Sequence, residues 1–291
     1  MKENHNKTLT PELRAKLSKI RHLALDMDGT IYLGSRLFPF TVDFLNSTEA
    51  AGVGHSFLTN NPTRSVADYI HKLEGMGIPA TEDNMYTTSL AAIDYIKKTH
   101  PKAKRLFMLG TPSMVSQFEK AGFQQCEDDP DDVPDVLVVA FDTTLTYSRL
   151  CRAAWWAQQG IPYIATNPDR VCPTEMQTVL VDCGSLQRCI EEATGRRPDV
   201  VLGKPDPTML QWIMEKHGLA PEEVGMVGDR VYTDIAMAAH AGAAGILVLS
   251  GETTRQMLDA HPEYPRPDFI FNHVGELASA LSGNGLSPDG Q

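Results

Sequence analysis

Short apolar runs alternate with stretches of helical period along most of the chain. His22-Leu23-Ala24-Leu25 runs into Asp26, Gly54 to Leu58 into Thr59-Asn60-Asn61, and Val200-Val201-Leu202 into Gly203-Lys204-Pro205. Val224 to Val227 runs into Gly228-Asp229, and Ile246 to Leu249 into Ser250-Gly251. Helical spacing covers Val66 to Glu74, Pro207 to His217 and Asp234 to Ala241. Strand and helix in alternation predict an α/β fold, a parallel sheet covered on both faces. Near the start, Thr10-Pro11-Glu12-Leu13 offers a cap residue, a proline and an acid in order, which predicts a short surface helix.

The middle of the chain repeats the pattern by itself. Arg105 to Leu109, Val136 to Phe141 and Ile161 to Ala165 read as strands. Met114 to Lys120 and Tyr147 to Gln158 read as helices closed by Gly122 and Gly160. An inserted α/β domain over 88–181 follows, with a core made of 1–87 and 182–291 and an N-terminal extension over 1–20. A length of 291 residues agrees with two domains. The first nine residues and the stretch from Gly283 to Gln291 are expected to be a loose leader and a frayed tail.

Composition narrows the partners. A formal net charge of −11 argues against a nucleic-acid coat and against binding to anionic membranes. A few local cations or a metal would still admit a phosphorylated substrate. No apolar run reaches the ~18 residues of a membrane span, and Met1 to Lys19 lacks the apolar core of a secretory signal. The five cysteines are odd in number and form no CxxC pair, so free thiols in a cytoplasmic setting are expected.

The candidate chemistry sits at strand ends. Asp26, Thr59, Lys204 and Asp229 each close a predicted strand, and open α/β sheets bind ligands outside the carboxyl ends of their strands. In Asp26-Met27-Asp28-Gly29-Thr30 the two carboxylates alternate along extended backbone and face one side. Such a pair suits acid–base work or nucleophilic attack by an aspartate; a surface Asp-Gly turn is the plain alternative. A calcium loop is excluded, because glycine stands fourth rather than sixth. Asp229 offers a third carboxylate, and oxygen ligands favour Mg2+ over Zn2+. Asp234 reads either as a helix N-cap or as a neighbour of that metal site. Thr59-Asn60-Asn61 before Pro62 reads as an anion site at a strand–helix junction or as a capping turn. Lys204 is a point cation suited to phosphate, or a solvated surface charge. Gly75-Met76-Gly77-Ile78-Pro79-Ala80 matches a dinucleotide fingerprint by letter, but it follows a helix and reads as its C-terminal turn.

Taken in order, Asp26-Met27-Asp28-Gly29-Thr30, Thr59-Asn60-Asn61, Lys204, and Gly228-Asp229 with Asp234 resemble the four signatures of the haloacid dehalogenase (HAD) superfamily. The insert resembles the larger α/β cap, of C2 type, in the NagD and 4-nitrophenylphosphatase-like branch. Asp142 to Tyr147, Ala165-Thr166-Asn167-Pro168-Asp169 and Ala193-Thr194-Gly195-Arg196 carry that likeness. The resemblance implies a Rossmann-like core and Mg2+-dependent hydrolysis of small phosphorylated metabolites through an aspartyl-phosphate. It makes Asp26 the nucleophile and Asp28 the general acid and base. Asp26, the backbone carbonyl of Asp28 and Asp229 would hold Mg2+, with Asp234 behind them. Thr59, Asn60, Asn61 and Lys204 would bind the phosphoryl group. A cap loop over Asn167 to Glu175 would set substrate range, with Asn167, Asp169 and Cys172 as its candidate contacts. A homodimer through the cap is also implied. The alternatives are a phosphotransferase or mutase using the same intermediate, and a non-catalytic phosphometabolite-binding protein.

Overall fold

The computed structural model describes residues 10–172, 174 and 176–281. The polar leader, Pro173, Glu175 and the expected frayed tail lie outside the described residues. In chain order the first elements are α1 (Pro11–Leu17), β1 (His22–Asp26), β2 (Tyr32–Leu33), β3 (Arg36–Leu37), α2 (Thr41–Ala50) and β4 (Gly54–Thr59). There follow α3 (Val66–Gly75), β5 (Met85–Thr87), α4 (Thr88–Thr99), β6 (Arg105–Leu109), α5 (Pro112–Lys120), β7 (Gln124–Gln125) and β8 (Val136–Val139). Next are α6 (Tyr147–Gln158), β9 (Tyr163–Ala165), β10 (Val171–Cys172), β11 (Leu180–Val181), α7 (Cys183–Thr194), β12 (Val200–Val201) and α8 (Thr208–His217). The chain ends with β13 (Val224–Gly228), α9 (Ala236–Ala241), β14 (Ala244–Val248), α10 (Arg255–Ala260), β15 (Phe269–Phe271) and α11 (Val274–Leu281). Two compact units result, one from Met1–Phe57 with Leu210–Gln291, the other from Leu58–Met209.

The first unit is built on a parallel sheet in the order β15-β14-β13-β1-β4. His22 to Leu25 pair with Val224 to Val227, and Gly225 to Gly228 pair with Ala244 to Leu247. These strands are apolar without alternation because both faces are covered: Leu23, Leu25, Met226, Val227, Ile246 and Leu247 are all buried. The expected surface helix is α1, with the Thr10 hydroxyl accepting the Leu13 N–H at 3.3 Å. Beyond β1 the chain turns at Gly29, whose φ of +90° favours glycine, and enters the short β2–β3 hairpin.

The second unit holds a five-stranded sheet, β12-β9-β8-β6-β7. Val136 to Val139 are fully buried at its centre. One face packs Phe118, Met114 and Ile96; the other packs Trp156, Leu186 and Ile190. Trp155 on the same helix faces solvent. Gly77 has φ +78° just past α3, a helix end rather than a nucleotide fingerprint.

The structure corrects one expectation here. Val200-Val201 pairs with Ile164-Ala165 of β9, so the strand before Lys204 belongs to the inserted sheet rather than to the first unit's sheet. The expected return to the core at residue 182 therefore comes too early. The reason is α7: its apolar face, Cys183, Leu186 and Ile190, covers this same sheet and carries the chain to a further strand within it.

Candidate active site

In the first unit three carboxylates meet. Asp26 ends β1, Asp229 follows β13, and Asp234 lies in a π turn over Val231–Ile235. One oxygen from each falls within 4.8 Å of the others. Asp234 is not a helix N-cap: α9 begins two residues later, after Ile235. The Asp234 carboxylate instead accepts the Arg230 N–H at 3.0 Å and is fully buried.

Glycines make this clustering possible. A Cβ at Gly29 or at Gly251 would overlap the Asp229 carboxylate, and one at Gly228 would overlap that of Asp234. Asp229 accepts the Glu252 N–H at 2.6 Å through Oδ2, while its buried Oδ1 has no hydrogen-bond partner. Asp26 accepts the Thr30 hydroxyl at 3.2 Å. Burial, then Asp26, then Asp234 push the Asp229 carboxyl up to about 8. Three acids held this close, with Arg230 as a cation beside Asp229 and Asp26, fit a divalent cation, which takes oxygen ligands and offsets the crowded negative charge.

Asp28 stands apart from this trio. It is exposed, bridges to Tyr32, and has one oxygen 3.5 Å from the Gly34 N–H. Ser250 donates to the Gly29 carbonyl at 2.7 Å, tying the β14 loop to the turn after β1.

In the second unit the remaining candidates gather. The Thr59 hydroxyl accepts the Asn61 N–H at 3.2 Å. Asn61 Oδ1 accepts from the Thr63 N–H and hydroxyl at 2.9 and 2.6 Å, while its carbonyl accepts the Tyr69 hydroxyl at 2.9 Å. The loop is thereby fixed as an Asx turn. Asn61 Nδ2 lies 3.7 Å from Cys172 Sγ. Asn60 Nδ2 donates to Asp169 at 2.8 Å and to the Lys204 carbonyl at 3.0 Å, and Asn60 Oδ1 accepts the Lys204 N–H at 2.7 Å. Both amide hydrogens of Asn60 are therefore committed within the protein. Lys204 is almost wholly buried.

Asn167 departs from its expected role. It is fully buried and donates to Asp169 and Asp182, each at 3.0 Å, so it faces the protein's own acids and not a substrate. Cys172, half-buried on β10, remains in reach of the Asn61 loop. Three participants left no signal in the sequence: Gly251, the Glu252 N–H, and Asp182. The first two act through backbone space and a backbone donor, which any residue pattern hides.

Comparison with known proteins agrees with this arrangement. The profile of the haloacid dehalogenase-like hydrolases matches residues 23–124, and that of the HAD-hydrolase-like family matches 201–277. The chain is 30% identical over 257 residues to the acid sugar phosphatase of Staphylococcus aureus, covering 88% of this chain and 96% of that protein. The crystal structure of 4-nitrophenylphosphatase from Thermotoga maritima superposes with a TM-score of 0.86 at 39% identity, over 91% of this chain and 99% of that one. NagD from E. coli K-12 superposes with a TM-score of 0.78 at 28% identity, over 88% and 98%. Sheet, inserted α/β cap, ordered motifs and relatives thus agree, and the chain belongs to the haloacid dehalogenase-like hydrolases, in the NagD and 4-nitrophenylphosphatase-like branch.

Proposed function

We propose that this HAD-like phosphatase hydrolyses small phosphate monoesters, sugar phosphates or similar phosphometabolites, in a Mg2+-dependent reaction through an aspartyl-phosphate on Asp26. The observation that carries this is the trio of Asp26, Asp229 and Asp234 within 4.8 Å, with the buried Asp229 Oδ1 unpartnered. Asp26, the backbone carbonyl of Asp28 and Asp229 would hold the cation, with Asp234 beside them. A bound Mg2+ would neutralise charge on the phosphoryl oxygens.

The protein's own groups do the rest. An Asp26 oxygen attacks phosphorus while the ester P–O bond breaks, and Asp28, protonated, gives its proton to the leaving oxygen. Water then attacks the phosphorus, Asp28 takes the water's proton, and the bond to Asp26 breaks to release inorganic phosphate. The exposure of Asp28 outside the trio supports its part as proton carrier. Thr59, the backbone of Asn60 and Asn61, and Lys204 bind the phosphoryl oxygens. The inserted sheet with its helices sets substrate range, with Cys172 on its candidate substrate loop. The five cysteines, none of them in a disulfide, support a reducing, cytoplasmic setting. Among the described residues no helix is long and apolar enough to cross a membrane. Exposed Val171, Met176, Val179 and Val181 around β10 and β11 support a homodimer through the cap.

A phosphate-release screen over some dozens of phosphometabolites, with Mg2+ and with excess chelator, tests the proposal. Release of free inorganic phosphate that chelation abolishes is expected. Full activity in chelator, a Zn2+ optimum, or transfer of phosphate to another hydroxyl instead of water would overturn it.

A further inference from the structure

Asn60 meets Lys204 at both backbone groups, across 144 residues of sequence. Only one orientation of the amide allows this. Turned over, Nδ2 would face the Lys204 N–H, and Oδ1 would face both the Lys204 carbonyl and the Asp169 carboxylate. Asp169 sits on the donor side at 2.8 Å, and a charge-assisted bond is about twice as strong as a neutral one. Asp169 thereby holds the amide in the orientation that the two Lys204 backbone bonds select.

Asp169 is itself held. The same Oδ2 accepts from Asn167, whose donor also reaches Asp182 at 3.0 Å. Asp182 caps α7 through the Cys183 N–H. A line of bonds thus runs from the start of α7 through Asp182, Asn167, Asp169 and Asn60 to the Lys204 backbone. The Lys204 turn is closed from its other side as well. Gly203 has φ +75°, and a Cβ there would crowd Asn60 Oδ1, the Thr88 methyl and the Thr166 carbonyl.

We infer that Asp169 is a positioning residue for phosphoryl transfer: by fixing the Asn60 amide it fixes the backbone, and so the ammonium, of Lys204. The inference rests on the proposed phosphoryl-binding role of Lys204 and replaces a substrate contact by Asp169 with an action through another residue.

A double-mutant cycle between Asp169→Ala and Lys204→Met tests it. The readouts are kcat/KM on 4-nitrophenyl phosphate and on acetyl phosphate, and the Kd of inorganic phosphate for the Mg2+-loaded enzyme. Asp169→Ala is expected to lower kcat/KM on both substrates by one common factor, roughly 10- to 100-fold, the scale of a displaced positioning group. It should also weaken phosphate binding. In the Lys204→Met background it should add less than about threefold, as coupled residues do. A full multiplicative loss in that background, or a loss on one substrate alone, would overturn the inference while leaving the phosphatase reading intact. If Lys204→Met changes neither turnover nor phosphate binding, the role of Lys204 falls first, and the inference with it. Asp169→Asn covers an Ala variant that does not fold. Its amide oxygen still accepts both bonds, so a loss below about tenfold is expected, and a larger one would assign Asp169 a direct charge role and overturn the inference.

Discussion

Asp229 in the first unit and Asp182 in the second are each only 3% exposed, yet their surroundings are opposite. Asp182 receives N–H donors from Asn167 and Cys183. Asp229 faces two further acids, and one of its oxygens has no donor at all. A buried carboxylate surrounded by donors belongs to the protein's own scaffold. A buried carboxylate pressed by two others, with one oxygen left unpartnered, fits a metal cation. The balance of donors against acceptors, more than depth or residue type, separates a structural acid from a candidate working one.

The largest effect should come from the working side. Asp26→Asn removes the proposed nucleophile and should lower kcat by more than the roughly 100-fold of a lost catalytic group. Phosphate release under saturating substrate checks this, and a variant keeping a tenth of wild-type turnover would remove Asp26 from its role. On the scaffold side, Asn167→Ala strips a donor from two acids at once. It should destabilise the fold by about 1–3 kcal/mol, measured by denaturant unfolding. A shift in substrate preference at unchanged stability would instead return Asn167 to the substrate.

The comparison is sharpest where signs differ. In chelator, Asp229→Asn removes one of three crowded acids and should raise stability by about 1–2 kcal/mol, while Mg2+ no longer raises the melting temperature as it should for the wild type. A lower melting temperature in chelator would mean that the trio is not repulsive. The smallest effect concerns His22, far from both networks in character. It is buried, stacked on His217 at 4.5 Å and paired with the Ser56 hydroxyl at 2.9 Å. Burial first, then His217, His55 and Lys216, depress its pKa from 6.5 to about 4. A depressed histidine stabilises the fold above its unfolded pKa, and that stability is lost as pH falls from 6.5 towards 4. His22→Asn should flatten this slope by about 1 kcal/mol over that window, read from unfolding at several pH values; an unchanged slope would place the titration elsewhere.

Much of the fold was legible because β13 and β14 are covered on both sides and read as unbroken apolar runs, as does the Leu23-Ala24-Leu25 centre of β1. β5 and β15, three residues each, are too short to carry a period. Val200-Val201 was legible as a strand but not as to its sheet, since partner choice is a long-range matter that local pattern does not encode. At the site, the acids and Lys204 were readable as residue types at strand ends. Burial was not: Asn167 stood in the right loop and turned inward, and Asp234 was as easily a cap as a member of the trio.

The π turn at Val231–Ile235 has a consequence for insertions and deletions. The Ile235 N–H reaches back five residues to the Arg230 carbonyl, one more than an α-helix uses. Removing a single residue from this stretch would let it relax to ordinary helix and rotate everything after the cut by about 100°. Asp234 would swing away from Asp229 although its side chain was unchanged. The position of this acid is thus a matter of residue count as much as of residue identity, and the spacing between Asp229 and Asp234 should tolerate changed letters far better than a changed length.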